Sequence, residues 1–106
     1  MHKGLSDIMK QAKKMQEKME EVQKGLSEKY CEASAGGGMV TARVNGNMQL
    51  VAIKIDPSVV NPEDVELLED LIVAAVGEAT KRAQEMVAKE MGKVTMGLNI
   101  PGIFGK

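Results

Sequence analysis

Lysines are the side chains in this sequence best placed to do chemistry, and that chemistry is contact with phosphate groups. The first nineteen residues hold five of them against Asp7 and Glu17, a local charge of +3. These lysines are Lys3, Lys10, Lys13, Lys14 and Lys18. Each phosphate that such a cation neutralises releases a counterion, which favours binding to nucleic acid. Charge runs on helices also occur simply as solvated faces, and the lysines taken alone favour that interpretation.

A second group of cations is weaker as a binding site. Lys81, Arg82, Lys89 and Lys93 lie near the predicted end of a helix, where each cation stabilises the helix dipole by about 0.3–1 kcal/mol without any ligand. Arg43 projects from a predicted strand, where it either supports binding or keeps that face soluble. We therefore predict only secondary contacts from these cations, namely Arg43, Lys81, Arg82 and Lys89.

The residues that would serve catalysis or metal binding are few and scattered. Cys31 is the single cysteine and His2 the single histidine, and His2 lies too near the N-terminus to form a positioned Cys–His pair. Residues 36–38 are three glycines, but they lack the Lys-Ser/Thr of a P-loop and no helix follows them. No His, Cys or carboxylate cluster has metal-ligand spacing. The sequence predicts no enzyme, metal, cofactor or small-molecule substrate.

The composition predicts one cytoplasmic domain spanning residues 1–106. Hydrophobic residues make up 43% of the chain, the net charge is −1, and Tyr30 and Phe104 are the only aromatic residues. Residues 56–78 hold seven acidic side chains and no Lys or Arg, so the chain is electrically polarised. A single cysteine allows no internal disulfide. We expect no membrane association, because no apolar run approaches the roughly 20 residues that span a bilayer.

The lysines of the first segment lie on a predicted helix over residues 5–26. Its apolar positions recur at alternating spacings of three and four residues, which is a heptad seam. The seam comprises Leu5, Ile8, Ala12, Met15, Met19, Val22 and Leu26. At 3.6 residues per turn, Lys3, Lys10, Lys13 and Lys14 fall on roughly the opposite side and Lys18 on a flank.

A β-hairpin is predicted to follow, within strands that span about residues 28–55. Residues 39–44 alternate between two faces, which is the period of a strand. Asn45-Gly46 then favours a tight type I′ turn, and Pro57 ends the second run because it cannot donate to a sheet. A third strand over residues 28–35 can pair across the three glycines.

A second long helix is predicted over residues 62–91, with Asn61 as its cap and Gly92 as its stop. Residues 94–106 follow as a tail that is either flexible or docks only on a partner. The helix would be about 45 Å long, whereas an eight-residue strand spans about 27 Å, so the small sheet cannot cover it. A homodimer is the simplest way to bury the surplus apolar surface. The predicted dimer interface comprises Ile8, Met15, Met19, Val22 and Met86.

Four stretches together give the chain a family resemblance: residues 36–46, 55–58, 69–75 and 97–102. On these residues it resembles the YbaB/EbfC family of small bacterial nucleoid-associated DNA-binding proteins. The resemblance implies an α+β protomer of α-β-β-β-α order, with a three-stranded antiparallel sheet flanked by long helices, and a tweezer-like homodimer. It also implies binding to double-stranded DNA with weak or broad sequence preference, and a role in nucleoid organisation and gene regulation.

The resemblance reverses the interpretation of the N-terminal lysines, which then become the predicted DNA contacts. The alternative function is a helical interaction or scaffold protein that binds other proteins through the heptad seam and the tail, without a DNA role. An enzyme is the least favoured class.

Overall fold

The computed structural model describes residues 2–98, and it places three strands between two long helices. The elements are α1 (His2–Ser27), β1 (Tyr30–Ala35), β2 (Val40–Asn45), β3 (Leu50–Ile55), a 3-10 turn (Pro57–Val59) and α2 (Val65–Leu98). The strands form one antiparallel sheet in the order β1-β2-β3. The predicted α+β class and the α-β-β-β-α order are therefore confirmed, including the third strand across the glycines.

The core lies between one face of the sheet and α2. Val40, Ala42 and Val44 alternate along β2 and are buried, as their two-residue period predicts. On α2 the facing residues recur every fourth position and are fully buried: Ala75, Ala79 and Ala83. Because alanine is small, this stripe lets the helix axis lie close to the sheet. The closely packed core is correspondingly small and aliphatic.

Three consecutive glycines connect β1 to β2. Gly36, Gly37 and Gly38 have φ angles of 65°, 70° and 95°, in the left-handed region that other residues rarely adopt. A Cβ atom on Gly36 would also lie 2.8 Å from Leu71 Cδ2 of α2. The predicted connection across the glycines is present, and its backbone conformation explains the residue type.

The turn between β2 and β3 differs from the predicted type I′ turn at Asn45-Gly46. Asn45 N donates to Gln49 O at 2.9 Å and Met48 N donates to Asn45 O at 3.0 Å, which closes a three-residue loop. The positive φ of 61° falls on Met48, and Gly46 is not in the left-handed region. The Asn45 side chain is buried and accepts from Gln49 N at 3.0 Å, which fixes the longer loop. Gly46 therefore needs another explanation than turn geometry.

The start of α2 also differs from the prediction. Asn61 was the predicted cap, but its Oδ1 accepts from Glu63 N at 3.0 Å in a separate turn. Asp64 Oδ1 accepts from Leu67 N at 3.3 Å, so Asp64 caps a helix that begins at Val65. The two polar residues capable of capping lie three positions apart, and sequence alone favoured the wrong one.

The end of α2 lies beyond the predicted stop at Gly92. The helix continues to Leu98, so the first five residues of the predicted tail, 94–98, are helical. Gly92 is not in the left-handed conformation of a helix-ending glycine. The rest of that predicted tail, residues 99–106, lies outside the described residues.

Candidate nucleic-acid interface

The helix α1 projects from the sheet and α2, held only near its C-terminal end. Every residue from Gly4 to Glu21 is exposed, and Leu26 is the first described residue of the helix to be buried. The helix has 26 residues and is therefore about 39 Å long. Its projection gives the protomer a longest dimension of 74 Å against 27 and 16 Å in the other directions. A projecting helix presents its whole circumference to a ligand.

Close contact with Gly46 anchors the end of α1 to the sheet. Gly46 N donates to Leu26 O at 2.9 Å and to Lys29 O at 3.0 Å. A Cβ atom at this position would lie 2.5 Å from Leu26 O, which is closer than atoms can approach. The glycine is therefore explained by the approach of the α1 backbone. This anchor cannot be recognised from the sequence, because the Asn-Gly pair is typical of a turn.

An ion pair between Lys29 and Glu90 joins the same end of α1 to α2. Lys29 Nζ lies 2.9 Å from Glu90 Oε1, and Lys93 Nζ lies 3.6 Å from Glu90 Oε2. The hydrogen bond from Lys29 is the main cause that lowers the pKa of the Glu90 carboxyl below its usual value. Glu90 therefore stays ionised at neutral pH and helps to fix the direction in which α1 leaves the sheet.

The predicted lysines of α1 are exposed and uncompensated. Lys10, Lys13, Lys14 and Lys18 form no ion pair with any residue that the structure describes. Lys10 and Lys14 are separated by one helical turn and lie on the side opposite the seam. Their ammonium groups are free to approach an anion without first breaking a contact in the protomer. The Lys3 side chain lies outside the described part of the chain.

Arg43, by contrast, is fully engaged on the outer face of the sheet. Its Nε donates to Glu32 Oε2 at 2.8 Å, its Nη2 pairs with the same oxygen, and the guanidinium lies 4.3 Å from the Tyr30 ring centroid. The hydrogen bond to Glu32 is the main cause that raises the pKa of Arg43 above its ordinary value. Because Glu32 balances its charge locally, Arg43 is a poor phosphate ligand.

The predicted secondary cations on α2 fall into two groups. Arg82 donates to Glu32 O of β1 at 2.8 Å and lies 3.4 Å from Glu78, so its charge is also balanced. Lys81 and Lys89 are exposed and form no ion pair within residues 2–98. The structure thus separates free lysines from arginines that hold the protomer together. Sequence patterns do not show this difference, because Glu32 is distant along the chain from Arg82.

The predicted dimer-interface residues are not all in the same environment. Ile8, Met15 and Met19 are 63%, 56% and 43% exposed along α1, so none of residues 2–98 covers this part of the seam. Val22 is half-buried near the anchored end of the helix. Met86 is half-buried under the sheet, where Cys31 Sγ lies 3.8 Å from its Sδ. Met86 therefore packs within the protomer.

Residues 2–98 hold neither a metal-binding cluster nor a membrane-spanning helix. No group of three or more His, Cys, Asp or Glu side chains in residues 2–98 is arranged to hold a metal ion. Neither helix, over its described residues, is long and apolar enough to cross a membrane.

Comparison with known proteins gives consistent matches over most of the chain. A model of the YbaB/EbfC DNA-binding family matches residues 1–98. A nucleoid-associated protein of Alkaliphilus metalliredigens is 58% identical over 101 residues, which cover 95% of this chain and 89% of the relative. A nucleoid-associated protein of Thermoanaerobacter pseudethanolicus is 53% identical over 101 residues, covering 95% and 91% of the two chains.

A solved structure has the same fold at low sequence identity. The crystal structure of uncharacterized protein HP0035 from Helicobacter pylori superposes with a TM-score of 0.70 at 23% identity. The match covers 86% of this chain and 95% of the other. At that identity the likeness concerns the arrangement of helices and strands.

Proposed function

We propose that this chain, which belongs to the YbaB/EbfC DNA-binding family, grips duplex DNA as a homodimer through the lysines of α1. It is a nucleoid-associated DNA-binding protein and not an enzyme, in keeping with its family and with the names of its relatives. Its place is therefore the nucleoid, within the cytoplasm.

The observation that carries the proposal is a set of unpaired lysines on a projecting helix. Among the described residues, Lys10, Lys13, Lys14 and Lys18 are free of ion pairs, whereas Arg43 and Arg82 are balanced by acidic or carbonyl groups. A phosphate that approaches α1 gains a cation without displacing an internal partner. Counterions released from the DNA then favour the complex, more strongly at low salt.

The chemistry of α1 supports weak or broad sequence preference. Its polar face is made mainly of lysine, glutamate and glutamine, with Ser6 and Asp7, and a lysine acts on phosphate as a point charge. Contacts to phosphate fix position on the duplex but carry no sequence information. The near absence of aromatic residues also disfavours stacking on single-stranded bases. Such binding suits a protein that organises the nucleoid and modulates expression at many sites.

Pairing of two protomers strengthens the binding to DNA. Each protomer has a net charge of only −1 but a basic distal α1, so two copies present two cationic arms while their acidic segments lie elsewhere. Two linked arms also bind more tightly than one, because the second contact is intramolecular. We propose that the exposed seam residues Ile8, Met15 and Met19 add contacts between the arms of this tweezer-like dimer.

Chemical crosslinking to a defined duplex, followed by peptide mapping, tests the proposed contacts. We expect the crosslinks to concentrate on Lys10, Lys13, Lys14 and Lys18. Lys54 and Lys81 are matched internal controls, since both are exposed and form no ion pair in residues 2–98. Crosslinks that fell on Lys54 and Lys81 as often as on α1 would contradict the assignment of the DNA site to this helix.

A further inference from the structure

Among the described residues, α1 is joined to the rest of the protomer near its C-terminal end. Residues 4–21 are exposed, whereas Leu26 is buried. Gly46 N donates to Leu26 O at 2.9 Å and to Lys29 O at 3.0 Å. Residues 25–29 and their contacts are called the joint below, and residues 4–24 are called the arm. The direction of the arm is therefore set at the joint.

The lysines of the arm lie far from this joint. Lys10 is sixteen residues from Leu26, which corresponds to about 24 Å along the helix. A rotation of the arm by about 15° at the joint would move Lys10 by about 6 Å, which is the width of the minor groove of DNA. Small changes in the direction of the arm therefore decide whether its ammonium groups meet the phosphates of a duplex.

Two features indicate that packing alone does not fix the joint. Gly25 lies within α1, where glycine lowers helix stability relative to alanine. A Cβ atom on Gly25 would meet nothing within 4 Å among the described residues, so packing does not require glycine there. A cavity of about 140 Å³ lies beside it, lined by Val22, Gly25, Leu26, Lys29 and Glu90. This space leaves room for the arm to tilt.

An ion pair ties the joint to α2. Lys29 Nζ lies 2.9 Å from Glu90 Oε1, and the side chains are 51% and 25% exposed. Because Glu90 is partly shielded from water, salt screens this pair less than it screens fully exposed charges. In the part of the chain that the structure describes, no other ion pair links α1 or the joint to the sheet or to α2.

The charge of Glu90 is unfavourable for DNA binding in itself. Its carboxylate repels phosphate, and it occupies both Lys29 and Lys93, whose Nζ lies 3.6 Å from Glu90 Oε2. Each cation that neutralises a phosphate adds affinity, so an acid that engages two lysines beside the arm should weaken binding. Control of the direction of the arm is a physical reason for an acid at this position.

We propose that Glu90 is a positioning residue for DNA binding, which holds the joint through Lys29 so that the lysines of the arm meet the duplex. The proposal rests on the proposed function, because it takes the α1 lysines as the DNA contacts. Glu90 itself touches no DNA. Without its carboxylate the arm samples more directions, and binding must then supply the order that the ion pair provides in the wild type.

Glu90→Gln tests the proposal, with affinity for a labelled duplex measured by fluorescence anisotropy near 0.1 M salt. The substitution keeps the size of the side chain, removes a negative charge and frees two lysines. Charge alone therefore predicts tighter binding. Loss of positioning predicts an affinity at least about fivefold lower, since two arms each lose an ion pair.

The matched control is E85Q, which makes the same change of charge at an exposed residue of α2. Glu85 forms no ion pair within residues 2–98. We expect the DNA affinity of E85Q to stay within about twofold of the wild type, because a distant charge acts through a screened field.

A charge swap separates positioning from a general effect on stability. E90K places a cation beside Lys29, whereas K29E/E90K restores an opposite pair. The swap should bind DNA at least about threefold more tightly than E90K, although its charge per protomer is lower by about two units. Lys93 would repel the new cation at position 90, so recovery of the wild-type affinity is expected to be partial.

An E90Q variant that binds as tightly as the wild type, or more tightly, would overturn the role of Glu90. An exposed ion pair contributes little to stability, so the variants are expected to fold, which circular dichroism checks. If E90Q does not fold, the comparison of K29E/E90K with E90K decides, and a swap that binds no better than E90K overturns the proposal. A wild-type chain that binds no DNA at low salt would instead overturn the proposed function, and this proposal with it.

Discussion

Replacement of Lys10, Lys13 and Lys14 by glutamate is expected to lower the affinity for duplex DNA at least about 100-fold near 0.1 M salt. Each phosphate contact contributes about 0.9 to the slope of log affinity against log salt. DNA affinity rises as the salt concentration falls from about 1 M to 0.1 M. The loss of three contacts makes this rise smaller by a factor of about 10 to the power 2.7, even if only one α1 helix binds. The introduced carboxylates also repel the phosphates. Fluorescence anisotropy with a labelled duplex measures the change.

A double substitution on α2 is a control for this charge reversal, with a change of about −4 in charge per protomer against about −6 for the triple substitution. Lys81 and Lys89 are exposed and free of ion pairs in residues 2–98, so K81E/K89E alters free cations outside α1. We expect its affinity to fall by less than about tenfold, since these two lysines are predicted only as secondary contacts and the change in net charge acts through a screened field. Equal losses in the two variants would show that overall charge, and not the α1 face, governs binding.

The second large effect is expected from Gly46→Ala, which should destabilise the fold by about 2–4 kcal/mol. The new Cβ would lie 2.5 Å from Leu26 O and 2.8 Å from Leu26 Cβ. Relief of this clash displaces the end of α1 and breaks the 2.9 Å hydrogen bond from Gly46 N to Leu26 O. Overpacking typically costs about 1–3 kcal/mol and a lost hydrogen bond about 1 kcal/mol.

Urea denaturation measures this change in the free energy of unfolding, and Gly92→Ala is its control. Gly92 is exposed within α2, and a Cβ atom there meets nothing within 4 Å of the described residues. Alanine favours a helix interior over glycine by about 1 kcal/mol, so G92A should be neutral or stabilising. If G46A unfolds at the same urea concentration as the wild type, the close contact between Gly46 and α1 is not essential.

The sequence predicts the sheet well because its signals are local and redundant. Alternation along residues 40–44 identifies the buried face of β2, and the three glycines identify a connection that needs positive φ angles. The regular apolar positions of α2 similarly predict the alanine stripe. In each case a repeated pattern and a steric requirement point to the same structure.

The errors arise where one residue type has two physical uses. Gly46 was assigned to the turn, but the approach of Leu26 from a distant part of the chain accounts for it. Asn61 and Asp64 can both cap a helix, and only the surrounding backbone decides between them. Gly92 can end a helix or continue it, and its neighbours in α2 are helical on both sides.

The candidate site was predicted only in part for a similar reason. The lysines of α1 are predicted as DNA contacts because they cluster in sequence, and this assignment stays a prediction. The compensation of Arg43 and Arg82 depends on Glu32, which only the folded sheet brings beside both.

A salt titration of the wild-type chain on duplex DNA tests the central proposal most directly. If the four free lysines on each α1 of a dimer all bind phosphates, log affinity should fall linearly with log salt, with a slope of about −7 for eight contacts. The slope should not depend on the sequence of the duplex, because phosphates carry the contact. A slope near zero, or no binding at low salt, would contradict DNA binding through these lysines.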